Sequence, residues 1–181
     1  GYVGYKAGIA LVQEDNIAGG EILNDEDGVI DFRGERSIGL YTYIPNPGNT
    51  TFESNRKMTN KGQINLSGKE SYGMKLAAKT RNGTTFINEG IINLRKNPDG
   101  NAKADNSAAM ALMRDESVRL GVSLSKGMAK NRGTISLTDV ENSLGMFVNI
   151  DSNMTNKGTI AINSDIAENK DKSKEQEYNI G

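Results

Sequence analysis

The sequence predicts an all-β fold, a parallel β-helix of about five coils with insertions at its corners. Three observations predict it. Two short motifs alternate along the 181 residues at a near-constant period. Within each motif apolar residues recur at every second position, the signature of a strand and not of a helix. Hydrophobic residues make up 35% of the chain, little for one thick core but enough for a thin one built of stacked columns.

The first motif reads Asn-x-Gly-x-Ile-x-apolar. Its copies begin at Asn60, Asn88, Asn131 and Asn156, with glycines at Gly62, Gly90, Gly133 and Gly158. A fifth copy runs from Asn24 to Phe32 and holds two extra residues before Gly28. After each glycine one apolar column contains Ile30, Ile64, Ile92, Ile135 and Ile160. A second contains Phe32, Leu66, Leu94, Leu137 and Ile162. The residues between these columns are mostly polar, so the segment reads as a half-buried strand. Another short strand precedes each Asn, with Ile22, Met58, Phe86, Ala129 and Met154 two residues upstream.

The second motif reads Ser-apolar-Gly-apolar and occurs at Ser37, Ser71 and Ser143, with a degenerate copy at Ser107. Tyr2-Val3-Gly4-Tyr5 and Asn179-Ile180-Gly181 read as truncated copies. The third positions then fall at 4, 39, 73, 109, 145 and 181. By alternation, one inward face is expected to hold Ile38-Leu40, Tyr72-Met74-Leu76, Ala108-Met110-Leu112 and Leu144-Met146-Val148. Three short strands and three corners then complete a coil. Residues 13–20, 45–57, 95–106, 114–126 and 163–179 are corner insertions, where a solenoid varies its surface.

Composition removes several functional classes. Lys plus Arg is 22 and Asp plus Glu is 23, a balance without the basic excess of a nucleic-acid surface. Cys, His and Trp are absent, which excludes disulfides, zinc sites with Cys or His ligands, and Ser–His or Cys–His nucleophiles. No apolar run approaches the ~20 residues of a membrane-spanning helix. Gly numbers 21 and Pro only 3, a balance of tight turns and not of a disordered linker. The chain has neither an initiator Met nor a signal sequence. Residues 1–181 are expected to be one excised β-helix segment, open at both ends. Open strand edges imply that the isolated segment associates end to end or unfolds unless flanked.

The recurring polar residues have structural readings. Asn60, Asn88, Asn131 and Asn156 are expected at corners, each side-chain amide bonding to the next coil. Gly62, Gly90, Gly133 and Gly158 are expected to turn the corner with positive φ. The serine hydroxyls are expected to satisfy corner backbone groups. Tyr41, Tyr43 and Phe147 fall on the outward strand face, where aromatics either dock a partner or hold an insertion against the coil. Asp99 and Asp105 are the calcium-ligand candidates, but their spacing fits no calcium loop. No catalytic residue, metal site or cofactor is expected. Asn49, Asn82 and Asn153 begin glycosylation-acceptor triplets.

The strings Met154-Thr155-Asn156-Lys157-Gly158-Thr159-Ile160 and Ser143-Leu144-Gly145-Met146-Phe147 resemble the passenger repeats of large bacterial autotransporters, most of all the fusobacterial autotransporter adhesins. The resemblance runs through the framework positions of nearly the whole chain and not through the insertions. It departs at Ala109, where glycine is expected, and at Asn24–Gly28. It implies a right-handed parallel β-helix, type V secretion, and a bacterial surface location with outer-membrane anchoring outside this segment. It also implies attachment to a host or bacterial surface glycan or protein receptor, with no membrane contact by the segment itself. The absence of Cys fits a passenger that crosses the periplasm unfolded. The alternatives are a spacer whose binding tip lies elsewhere and, with less support, a polysaccharide-degrading enzyme. The latter needs carboxylate pairs, or Arg or Lys together with calcium, clustered on an outer face.

Overall fold

Why the two motifs must stack is visible in the computed structural model, which describes residues 5–12, 20–43, 56–77, 84–113, 127–148 and 153–163. These residues form fifteen strands in three five-stranded sheets, and every strand pair is parallel. The first sheet contains β1 (Lys6–Val12), β4 (Ser37–Tyr43), β7 (Tyr72–Ala77), β10 (Ala108–Leu112) and β13 (Leu144–Val148), in that spatial order. The second contains β2 (Gly20–Asn24), β5 (Arg56–Asn60), β8 (Thr84–Asn88), β11 (Gly127–Asn131) and β14 (Asn153–Asn156). The third contains β3 (Val29–Phe32), β6 (Gln63–Leu66), β9 (Ile91–Leu94), β12 (Thr134–Thr138) and β15 (Thr159–Asn163). Each strand pairs with the third strand before and after it, so three strands make one coil and five coils make a parallel β-helix.

The register places like residues over like. Ile30 pairs with Ile64, Ile64 with Ile92, Ile92 with Ile135, and Ile135 with Ile160. The column Phe32, Leu66, Leu94, Leu137, Ile162 runs beside it in the same sheet. Met58 and Phe86 fill the second sheet's inner face, while Leu40, Met74 and Met110 fill the first sheet's. In the middle coils Ile64, Ile92, Leu66, Leu94, Met74, Leu76 and Phe86 are fully buried. Each such side chain contributes about 1.5–3 kcal/mol relative to exposure. The core is therefore a thin bore filled by stacked rungs.

Three expectations need correction. The first coil's copy of the second motif is Lys6-Ala7-Gly8-Ile9, which pairs with Ser37-Ile38-Gly39-Leu40; residues 1–4 lie outside the described residues. The column Ile38, Tyr72, Ala108, Leu144 does not join the inner core. A Cβ on Gly39 would point at Ile64, so position 39 faces inward and Ile38 faces out. Leu40 also faces the core, so strict alternation slips by one residue at the glycine. The same geometry sets Gly73 against Ile92 and Gly145 against Ile160. Ala109, the departure from the motif, is fully buried in the core.

The corner glycines are the third correction. Among the described residues the only glycine with positive φ is Gly20, at 121°. Gly62, Gly90, Gly133 and Gly158 are glycine for a different reason. A Cβ on each would collide with the carbonyl oxygen of the equivalent glycine one coil earlier. The motif thus records close backbone approach between coils. Positive φ occurs instead at Arg36, Glu70, Asn106 and Asn142, each just before a serine position, and at Asp139. Arg56, inside a stretch read as surface insertion, opens β5 and is fully buried. Its Nη1 donates to Thr42 Oγ1 at 2.6 Å, and that hydroxyl donates to the Leu11 carbonyl at 3.3 Å. Burial pushes the Arg56 guanidinium down to about 10, still charged at pH 7.

Two substitutions read these contacts separately. Gly90→Ala is expected to cost about 1–3 kcal/mol through overpacking against the coil beneath. Ile92→Ala is expected to cost about 2–5 kcal/mol through the cavity it leaves. Urea unfolding followed by circular dichroism measures both.

Candidate functional site

Two of the three corners of each coil, those on either side of the third sheet, are built from side-chain ladders. Asn24 Nδ2 donates to Asn60 Oδ1 at 2.8 Å, and Asn60 Nδ2 donates to Asn88 Oδ1 at 2.9 Å. Asn88 continues to Asn131 at 2.8 Å, and Asn131 to Asn156 at 2.9 Å. The same amides reach the glycine carbonyls of their own coils, Asn60 to Gly62 and Asn131 to Gly133. The backbone carbonyls of Asn24, Asn60, Asn88 and Asn131 also accept N–H groups from the coil above. Glu89 and Gly90 both donate to Asn60 O, for example. Asn60, Asn88 and Asn131 are fully buried, so their amides are occupied within the frame.

A serine ladder runs along the next corner. The Ser37 N–H donates to Ser71 Oγ at 3.1 Å, Ser71 N–H to Ser107 Oγ at 2.9 Å, and Ser107 N–H to Ser143 Oγ at 3.2 Å. The Ser71 and Ser107 hydroxyls in turn donate to the carbonyls of Lys69 and Asp105. These hydroxyls are bonded into the backbone. A short second asparagine ladder lies outside the third sheet, where Asn93 Nδ2 and Gln63 Nε2 both donate to Asn65 Oδ1 at 2.9 Å.

With the polar groups of these two corners occupied, the outer strand faces carry the remaining side-chain clusters among the described residues. On the outside of the first sheet Ile38 and Tyr41 form a second small core, with Tyr5, Ala7 and Tyr72 packed against it. The Lys75 ammonium lies 4.9, 5.9 and 4.7 Å from the ring centres of Tyr5, Tyr41 and Tyr72. Arg36 stands 4.6 Å over the Tyr5 ring. Tyr41 is only 3% exposed, so it packs and does not present a free ring. Tyr43 closes β4, and its side chain lies outside the described residues. Phe147 is half-buried on β13, three coils from β4 and in register with Ala111. Tyr41 and Phe147 therefore do not form one platform. Sequence reasoning missed Tyr5, Tyr72 and Lys75. No local signal marks them: the parity slip at Gly39, which moves Tyr72 to the same side as Tyr41, shows only in the structure.

The insertion after β9 is described and forms a short antiparallel finger. Lys96 bridges Lys103, and the Asn97 side chain caps the turn through the Asp99 N–H at 2.9 Å. The finger is tied down by charge. Arg33 pairs with Asp99, while Asp31 takes Arg33 at 3.2 Å and Arg95 at 3.6 Å. Lys103 pairs with Asp139 at 3.0 Å, one coil higher. A cleft lined by Asn93, Arg95, Lys96, Thr138 and Asp139 opens beside it. Asp99 and Asp105 are not brought together: Asp99 meets Arg33, and Asp105 Oδ1 accepts the Glu141 N–H at 2.8 Å. Among the described residues no group of three acidic side chains is placed to hold a metal ion.

The Lys103–Asp139 hydrogen bond raises the Lys103 pKa, with help from the charges of Asp139, Asp105 and Glu141 and against partial desolvation. A raised lysine pKa means that the contact is intact below the unfolded-state value and is lost as pH rises through the folded one. Asp139→Asn is expected to return Lys103 toward its ordinary titration, read by NMR of the lysine side chain. Asn88→Ala, which leaves two neighbouring rungs unpaired, is expected to cost about 1–3 kcal/mol. Asn156→Ala at the exposed last rung is expected to cost less, in the same urea experiment.

Comparison with known proteins adds one match. Residues 48–119 match the family described as BigA third pectate lyase-like domain, a stretch that includes β5 through β10 and covers less than half of the chain. No curated protein and no solved structure matched the chain.

Proposed function

We propose that this chain is a rod segment of a bacterial cell-surface adhesin, which presents corner insertions and outer strand faces to a partner surface. The observation that supports it best is the division of labour in each coil. Inward residues and corner Asn, Ser and Gly repeat and are committed to stacking, while one outer row changes from Asp31 through Asn65 and Asn93 to Ser136 and Ala161. A frame that repeats while its surface changes suits recognition along a rigid rod. The match to a BigA pectate lyase-like domain and the likeness of the motifs to autotransporter passenger repeats point the same way. On this reading secretion is of type V and the outer-membrane anchor belongs to another part of the parent protein. The partner is a host or bacterial surface glycan or protein receptor.

The segment acts by binding and not by turnover. The arrangement of its outer carboxylates supports this. Asp31 sits between Arg33 and Arg95, and Asp139 against Lys103, so each faces cations where a paired-carboxylate mechanism needs a second acid. The pectate lyase-like description of the matched family gives polysaccharide cleavage a place as the second reading.

One experiment separates these readings. The chain, displayed between flanking coils, is applied to a glycan array and to host cells, and is incubated with acidic polysaccharides. Saturable binding without release of new chain ends is the expected result. Binding only by other segments of the parent protein would make this one a spacer, and product release would establish the enzyme.

A further inference from the structure

The outer side of the third sheet carries a polar recess that the frame does not use. Asn93 lies on β9, and Arg95 and Lys96 follow that strand into the base of the finger. Thr138 closes β12 one coil higher, and Asp139 turns the chain away with a φ of 55°. Leu94 and Leu137 are register partners, so Arg95 and Thr138 stand side by side just beyond them. Asn93, Arg95, Lys96, Thr138 and Asp139 line a cleft of about 470 Å³, within the range of small-ligand sites.

The polar groups of this cleft are held in place and left open. Lys96 bridges Lys103 across the finger, and Lys103 in turn holds Asp139 at 3.0 Å, which ties the two walls together. Asn93 Nδ2 donates to Asn65. Among the described residues its Oδ1 accepts nothing, and the Thr138 hydroxyl has no partner. The Arg95 side chain is 33% exposed and reaches Asp31 only at 3.6 Å, beyond hydrogen-bond distance. Its Nε is buried without an acceptor. Arg33 takes Asp31 and Asp99, and Lys103 takes Asp139, so Lys96 has no charged partner among the described residues. A guanidinium that is partly desolvated and makes no hydrogen bond costs stability unless an anion completes it.

We propose that this cleft binds one acidic sugar residue of a surface glycan, with its carboxylate on Arg95 and Lys96 and its neighbouring hydroxyls on Asn93 and Thr138. The planar guanidinium matches a carboxylate, and Lys96 adds a point charge beside it. Sugar hydroxyls both donate and accept, so they satisfy an amide oxygen and a threonine hydroxyl together. An acidic peptide side chain brings no such hydroxyls. Asp31 and Asp139 flank the cations, which favours a singly charged carboxylate over a doubly charged phosphate. Hexuronic acids and sialic acids share this chemistry. The inference rests on the binding role proposed above and names the ligand class at one site.

A glycan array tests it, with the intact chain displayed between flanking coils. The array carries oligosaccharides ending in glucuronate, galacturonate or N-acetylneuraminate, each beside its carboxyl-reduced form. The expected result is binding to an acidic series, which identifies the sugar, and binding about tenfold weaker after carboxyl reduction. Lys96→Gln and Arg95→Gln are each expected to weaken it by about the same factor, with strand content unchanged by circular dichroism. Lys157→Gln, at an exposed corner of the last coil, is expected to leave binding unchanged. Lys96 is exposed and makes no ion pair among the described residues, so its variant reads the site even where Arg95→Gln disturbs the fold. Binding that ignores the carboxylate, binding that survives Lys96→Gln, or equal affinity for an oligoglutamate peptide would overturn this site and leave the adhesin reading in place. Failure to bind any glycan or cell surface would overturn both.

Discussion

The whole structure depends on backbone approaching backbone at one corner of every coil. At Gly62, Gly90, Gly133 and Gly158 the carbonyl of the coil beneath occupies the place where a Cβ would stand. That contact sets the vertical distance between coils and their rotational phase together. Once it is made, the asparagine two residues upstream has little freedom. Its amide must meet the amide of the next rung, and the ladder from Asn24 to Asn156 follows. Strand register is then imposed on all three sheets, because a slip of one residue would turn an isoleucine column out to water.

Much of this was legible in the sequence. The alternation of Ile64 with Leu66, repeated in Ile92 with Leu94 and Ile135 with Leu137, identifies strands and their inner face without further help. Recurrence of Asn and Gly at one offset identifies the corner. The cause of the glycine was not legible, because positive φ and close approach both select a residue without a Cβ. The parity slip at Gly39 was hidden for a similar reason. A period-two reading carries Ile38 inward with Leu40, and only the direction of the absent Cβ toward Ile64 shows that two successive residues face the core. Counting back a full period led to Gly4, whereas Gly8 is the residue that pairs with the frame, since the first corner is shorter.

The candidate surface was less legible than the frame. Tyr41 was visible as an outward aromatic, but its neighbours Tyr5 and Tyr72 come from other coils, and Lys75 joins them only through register. Arg56 was hidden in a polar stretch that reads as surface. Its Nη1 meets Thr42, a hydroxyl placed in register between Leu11 and Leu76. Ion pairs such as Lys103 with Asp139 join residues 36 positions apart, one repeat period, and become readable only once the period is known. A solenoid thus hides its surface sites from local sequence, and its repeat length is the key to them.

Vertical registry is the central claim, and the absence of Cys from the chain makes it directly measurable. Thr59 and Ile87 are register partners on the outer face of the second sheet, and Lys130 lies one further coil along the same row. A disulfide requires Cα atoms within about 7 Å of each other. Strand spacing gives about 5 Å for adjacent coils and about twice that for alternate ones. The account expects the double variant T59C/I87C to oxidise to an intrachain disulfide without loss of strand content, and T59C/K130C to remain reduced under the same conditions. Efficient bridging of Thr59→Cys with Lys130→Cys, or failure of the adjacent pair to bridge in folded protein, would contradict it.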